Sequence, residues 1–326
     1  MKEVQDLLRY VFQTRNQMTL PLSGTGSAGM ECAVANLIEP GDTILVGVNG
    51  YFGERLCEMA GRYGAHVNRI DKAWGDVVRP EEIDAALRKQ PAKAVALVHA
   101  ETSTGALTAL EAMGEIVHRH GALLLVDCVT SLGGIPIKID EWDIDLAYSG
   151  TQKCLSCPPG LSPITVGPRA REALQRRKSK VTSWYLDLTM IEHYWGDDRT
   201  YHHTAPISMN FALREALRLV QEEGLEQRFL RHRTNGELLW HRLEGIGLSL
   251  IVPLERRLAS LTTVAVPDGV NEAEVRRRLL DEYNIEIAGG LGAFKGKALR
   301  IGLMGYSSCL QNVTLLTAAL AQLLGR

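Results

Sequence analysis

The sequence has no excess of charge of either sign, no apolar run long enough to span a bilayer, no internal repeat and no low-complexity tract. Its 36 basic and 38 acidic side chains nearly cancel and form no basic stripe, so nothing along the chain could displace counterions from a nucleic-acid backbone. The longest apolar stretches, such as Ile44 to Val48 and Ala122 to Val126, are strand-sized, which excludes a helical membrane span. Met1 to Asn16 reads as an amphipathic helix with Val4, Leu7, Leu8, Val11 and Phe12 on one side, and it lacks the apolar core of a secretory signal. The final Leu323-Leu-Gly-Arg326 is not a peroxisomal address, so a cytoplasmic location is expected. Six cysteines (Cys32, Cys57, Cys128, Cys154, Cys157 and Cys309) are scattered through apolar contexts, as small core residues in a reducing compartment would be. Cys154 and Cys157 form a Cys-x-x-Cys pair, but no second pair or spaced histidines accompany it, and no metal is expected.

What is present is the ordinary mixture of a soluble enzyme: 326 residues, 45% apolar and 23% charged. That length suits one large unit and one smaller one. Between residues 20 and 170, short β-branched runs alternate with helical periods, the pattern of βαβ units on a mainly parallel sheet. Strands are expected at Thr43 to Val48, Ala94 to His99, Leu123 to Asp127, Leu146 to Tyr148 and Ser162 to Val166. Helices are expected at Ala28 to Ile38, Gly53 to Arg62, Pro80 to Lys89 and Leu110 to His120. Residues 168 to 205 read as an irregular functional loop. After a long helix, Ser208 to Glu223, the texture changes to helices at Leu225 to Leu243, Glu272 to Tyr283 and Gln311 to Leu324. Strands are expected among them near Leu248 to Val252, Leu261 to Val266, Ile285 to Ile287 and Ala298 to Ile301. The reading is therefore an α/β unit over 1–223 followed by a smaller α+β unit over 224–326.

Three features carry chemistry. Ser23-Gly-Thr-Gly-Ser-Ala-Gly29 lies between an apolar run and a helix, the geometry of an anion site built on backbone amides. Gly24, Gly26 and Gly29 also satisfy the dinucleotide pattern, which keeps a nicotinamide oxidoreductase open, as well as a plain tight turn. The acid that a dinucleotide fold wants at the end of the next strand is missing, since that strand runs into Asn49-Gly50. Asp127 ends an apolar strand at the rim where parallel sheets bind ligands, and a buried carboxylate there calls for a cationic partner such as a protonated pyridine nitrogen. Lys153 follows 26 positions later in Ser149-Gly-Thr-Gln-Lys153 and points to the same rim, where desolvation would free its amine to attack an aldehyde. Arg300, a lone arginine in an apolar strand, needs an anionic partner, either an internal salt bridge or a ligand.

Together the glycine turn, the aspartate and the Ser-Gly-x-Gln-Lys turn resemble the class V (fold type I) aminotransferases, and more closely the alanine-glyoxylate and serine-pyruvate enzymes. Ordered likenesses run from Tyr10-Val-Phe-Gln-Thr-Arg-Asn16 through Glu39-Pro-Gly-Asp42 and Tyr201-His-His-Thr204 to Gly289-Gly-Leu-Gly292 and Leu299-Arg-Ile-Gly302. The resemblance implies a pyridoxal 5'-phosphate transaminase that moves the amino group of alanine or serine to glyoxylate or pyruvate. Lys153 would carry the cofactor as a Schiff base and serve as general base, with Asp127 on the ring nitrogen. Phe52 would stack on the ring and Thr102 would meet its hydroxyl. Thr25, Gly26, Ser27 and Gln152 would hold the phosphate, joined by Tyr201 and Thr204 from the second subunit of a homodimer. Arg300 would clamp the substrate carboxylate. Members of that family begin with a further Gly-Pro-rich segment ahead of the Met1 to Asn16 helix, and its absence here implies weaker substrate affinity and a weaker dimer. A lyase of the same fold, such as a cysteine desulfurase, would need a reactive loop cysteine, for which Cys309 is the late candidate without an electropositive setting.

Overall fold

The computed structural model describes residues 1–326. Seven strands form the main sheet: β1 (Met18–Ser23), β2 (Thr43–Val48), β3 (His66–Asp71), β4 (Ala94–Val98), β5 (Leu123–Asp127), β6 (Leu146–Tyr148) and β7 (Leu161–Val166). Their order is β1-β7-β6-β5-β4-β2-β3. Only β7 opposes the rest, pairing antiparallel with both β1 and β6, so the C-terminal ends of the other six strands share one rim. The central strands read as unbroken apolar runs because both faces are covered. Val95 and Leu97 of β4 enter one core with Leu124 and Val126 of β5, while Ala94, Ala96, Leu123 and Leu125 enter the other. The expected first helix is α1 (Lys2–Phe12), which buries Val4, Leu7, Leu8, Val11 and Phe12. It packs in the first of these cores with Leu213, Leu217 and Val220.

The helices that cross the sheet are α2 (Gly26–Leu37), α3 (Tyr51–Arg62), α4 (Pro80–Lys89) and α5 (Met113–Arg119). Strand β3 went unread in the sequence because it is an edge: it pairs with β2 alone, and none of its residues is fully buried, so its composition stays polar. The irregular reading of residues 168 to 205 is corrected by two short helices, α6 (Pro168–Gln175) and α7 (Leu188–Trp195). The Asp187 side chain caps α7 by accepting from the Thr189 amide, and Leu188, Ile191 and Trp195 fill the second core.

After α8 (Ile207–Glu223) the chain turns at Gly224, with φ 79°, into α9 (Leu225–Gly245). A three-stranded antiparallel sheet follows, built from β8 (Leu261–Ala265), β9 (Ala288–Gly289) and β10 (Ala298–Gly302) in the order β8-β10-β9. The expected strand at Leu248 to Val252 is only a single bridge, Leu250 to Val264, and the one at Ile285 to Ile287 moves on to Ala288. Helices α10 (Glu272–Tyr283) and α11 (Leu310–Leu323) cover this sheet over a core of Leu239, Leu243, Leu279, Ile301, Leu316 and Leu320. No helix is long and apolar enough to cross a membrane.

Candidate active site

At the shared rim, four strand ends and the turns after them surround a cavity of about 140 Å³. It is lined by Thr25, Gly26, Ser27, Phe52, Thr102, Asp127, Gln152 and Lys153, so the sheet gathers side chains spread over 129 positions of sequence (153 minus 25, counted inclusively). The turn after β1 delivers the first turn of α2. Gly24 has φ 144°, and a Cβ there would stand 2.6 Å from that of Ala28. At Gly26 a Cβ would come within 3.0 Å of Val129 and intrude on the cradle. Thr25 takes an extended N-cap conformation, no side chain caps α2 and no acid lies in its first turn. Free amides and the positive end of the helix therefore face the cavity, a setting for a phosphate.

Asp127 is almost completely buried at the end of β5. One oxygen accepts from the Val129 amide at 2.9 Å and the other from the Tyr148 hydroxyl at 2.8 Å. Burial nevertheless dominates and pushes its carboxyl up to about 6. Lys153 lies across the cavity in the turn after β6. Burial, and then the positive charge of Arg300, pull its amine below the ordinary lysine value. Arg300, on β10, donates to the carbonyls of Gly289 at 2.7 Å and Thr102 at 3.0 Å, and both of these bonds are to neutral acceptors. Burial lowers its pKa, so its guanidinium is a half-buried cation that still lacks an anion, and the internal salt-bridge reading fails.

Phe52 is set by its helix. The Ser103 hydroxyl accepts from the Tyr51 amide at 2.9 Å, and the buried Glu101 carboxylate accepts from the Phe52 amide at 3.1 Å, so a turn after β4 caps α3 in place of a local cap. Arg55, also on the cavity wall, lies over the Phe52 ring with 4.9 Å to its centroid and donates to the Ser27 hydroxyl at 3.0 Å. Glu101, Arg55, Val129 and Tyr148 were not singled out in the sequence. Only Tyr148 carried a signal, as the polar end of an otherwise apolar strand. Tyr201 and Thr204 lie outside the cavity of their own chain. Tyr201 is 73% exposed, its hydroxyl is 3.3 Å from that of Thr204, and the neighbouring His203 ring bonds Ser23 at 2.6 Å.

A stability prediction follows from Asp127. Its folded-state pKa is raised from 3.8 to about 6, so the folded protein holds the proton more tightly than the unfolded chain. Stability is therefore lost as pH rises between those values, by on the order of 3 kcal/mol in the cofactor-free protein. Asp127→Asn removes that loss, and its melting temperature is expected to exceed that of the parent by several degrees at pH 8 and by little at pH 4. A difference independent of pH would rule the explanation out.

Comparison with known proteins gives one answer. The family described as Aminotransferase class-V matches residues 1–313. The (S)-ureidoglycine--glyoxylate transaminase of Bacillus subtilis (strain 168) is 42% identical, covering 100% of this chain and 83% of its own. The alanine--glyoxylate aminotransferase of Rattus norvegicus is 43% identical over 99% of this chain and 79% of its own. Among solved structures, an alanine--glyoxylate aminotransferase from Nostoc sp. superposes with a TM-score of 0.98 at 57% identity, covering 99% of this chain and 86% of that one. A cysteine desulfurase from Thermococcus onnurineus NA1, with a TM-score of 0.79 but 15% identity, shares the fold alone.

Proposed function

Because this chain belongs to the class-V aminotransferase family, we propose that it is a pyridoxal-phosphate transaminase that passes the amino group of a small amino acid, alanine or serine, to glyoxylate or pyruvate. The observation that carries the reading is one cavity holding an uncapped helix N-terminus, a buried carboxylate and a desolvated amine. These fit the phosphate, the protonated ring nitrogen and the aldehyde of that cofactor in turn. When bound, the cofactor supplies an aldehyde that accepts the amine and an electron-poor ring that stabilises negative charge at the substrate Cα.

The chain's own groups divide the remaining work. The amides of the first turn of α2, with Thr25, Ser27 and Gln152, hold the phosphate. Asp127, ionised once a cation stands against it, keeps the ring nitrogen protonated, and Tyr148 fixes the carboxylate by its hydrogen bond. Phe52 covers one face of the ring and Thr102 meets its hydroxyl. Arg300 takes the substrate carboxylate on its planar fork, which resolves its missing anion. With the carboxylate so fixed, the lowered pKa of Lys153 lets its neutral amine take the Cα proton and return it elsewhere. The acceptor is named from the relatives described as glyoxylate transaminases.

The assembly is a homodimer in which Tyr201 and Thr204 of each subunit complete the phosphate site of the other. The exposed Trp184, Tyr201, Ile207 and Phe211 support this reading. The division into units at Gly224 is part of the same reading, with Arg300 brought to the cavity by the smaller unit. The nicotinamide alternative is disfavoured by Asn49-Gly50 at the end of β2, and Cys309 lies off the cavity wall.

The test is a visible spectrum of the purified protein with pyridoxal phosphate, before and after alanine or serine, then borohydride reduction and peptide mass, with sedimentation alongside. Expected are a coloured dimer, a spectral change with the donor, restoration by glyoxylate or pyruvate, and cofactor fixed to Lys153. A protein that stays colourless, or cofactor fixed at another lysine, would overturn the proposal.

A further inference from the structure

Lys153 sits in a turn that leaves β6 at Ser149 and returns to β7 at Leu161, and the smaller unit holds this turn at two points. The first is Arg228 in the opening turns of α9, which is 5% exposed. Its guanidinium donates to the carbonyl of Cys154, the residue after Lys153, at 2.6 Å and to that of Gly133 at 2.7 Å. Its third contact is the Glu223 carboxylate at 2.6 Å. The second point is Ser156, a non-glycine residue held at φ 56°, whose hydroxyl accepts from the Tyr306 amide at 2.7 Å. Gly305, with φ 59°, permits this approach, since a Cβ there would overlap the Ser156 hydroxyl.

The segment reaching Ser156 is itself fastened to α9. Arg231 donates to the carbonyls of Gly305 at 2.8 Å and Ser308 at 2.6 Å, and the His232 ring accepts from the Gly305 amide at 2.9 Å. The same segment directly follows β10, the strand that carries Arg300. One connected set of bonds thus joins the arginine that would take the substrate to the lysine that would move its proton.

A buried ion pair is poor evidence of a contribution to stability, because desolvating two charges offsets their attraction. What distinguishes Arg228 is its aim: two donors meet backbone carbonyls of the large unit, one of them adjoining Lys153. We propose that Arg228 is a positioning residue for Lys153, fixing the lysine-bearing turn against the smaller unit so that the amine and Arg300 keep one relative placement. This rests on the transaminase reading above. Misplacing a reacting group by about 1 Å costs on the order of a hundredfold in rate, so the bonds at Cys154 and Ser156 bear on catalysis.

The experiment uses Arg228→Met, Arg228→Lys and Ser156→Ala. In the reconstituted holoenzyme, Arg228→Met is expected to lower kcat by roughly tenfold to a hundredfold with donor KM little changed. Arg228→Lys recovers only part, because a point charge cannot span both carbonyls. In the cofactor-free protein, the pH dependence of reductive methylation at Lys153, read by peptide mass, should move toward that of an ordinary lysine. Ser156→Ala, at an exposed position, moves both readouts the same way by less and carries the test should Arg228→Met fail to fold. Parental kcat and parental methylation behaviour in a folded variant overturn the proposal, whatever happens to the melting temperature. A parent protein that takes up no pyridoxal phosphate sinks the transaminase reading, while the methylation comparison still decides the role of Arg228.

Discussion

Lys153→Ala is expected to lower kcat by three to four orders of magnitude, on the scale that a positioned acid-base group contributes. The fold should be untouched, because the amine is desolvated and its removal relieves a cost. Lys153→Arg should fall as far, since a guanidinium cannot give up its proton near neutral pH. Steady-state assays with alanine and glyoxylate, together with thermal melting, check this. The informative comparison is with added methylamine: partial recovery in Lys153→Ala would show that the missing function is proton transfer, since an external amine can carry a proton without rebuilding the turn. A Lys153→Ala enzyme within tenfold of the parent would mean that another group moves the proton.

Arg300→Gln carries the second large effect. The guanidinium is oriented by the Gly289 and Thr102 carbonyls and has no internal anion, so a substrate carboxylate would be its charge partner. Losing one member of a hydrogen-bonded, desolvated charge pair costs about 2–5 kcal/mol, which predicts a fall in kcat/KM of roughly 30-fold to several thousandfold, with KM for the donor bearing much of it. A separate signature follows from Lys153. Burial is the main cause of its lowered pKa and the Arg300 charge the next, so Arg300→Gln should move the acid limb of the pH-rate profile to higher pH. An unchanged KM together with an unchanged acid limb would remove Arg300 from the substrate site.

The parts of this protein that were legible in advance are those with local signals. Thr43–Val48, Leu123–Asp127 and Leu146–Tyr148 match their strands to the residue because central parallel strands must be apolar on both faces. Asp127 and Lys153 stood out because polar groups at the ends of such strands have no reason to be there unless a ligand pairs with them. Glu101 and Arg228 gave no such sign. Each looks like a surface charge in its own segment, and each is buried only because a distant element arrives: α3 over Glu101, the Lys153 turn over Arg228.

The sequence alone therefore determined the order of βαβ units, the glycine turn that admits an anion, and which residue types stand at the strand ends, because each depends on hydrophobic period and backbone freedom within a few residues. The tertiary structure alone decided what those residues feel. The rise of Asp127 to about 6, the lowered pKa of Lys153 and the unpaired charge of Arg300 come from burial by elements far apart in the chain, and desolvation is a property of the assembled cavity that no single segment possesses.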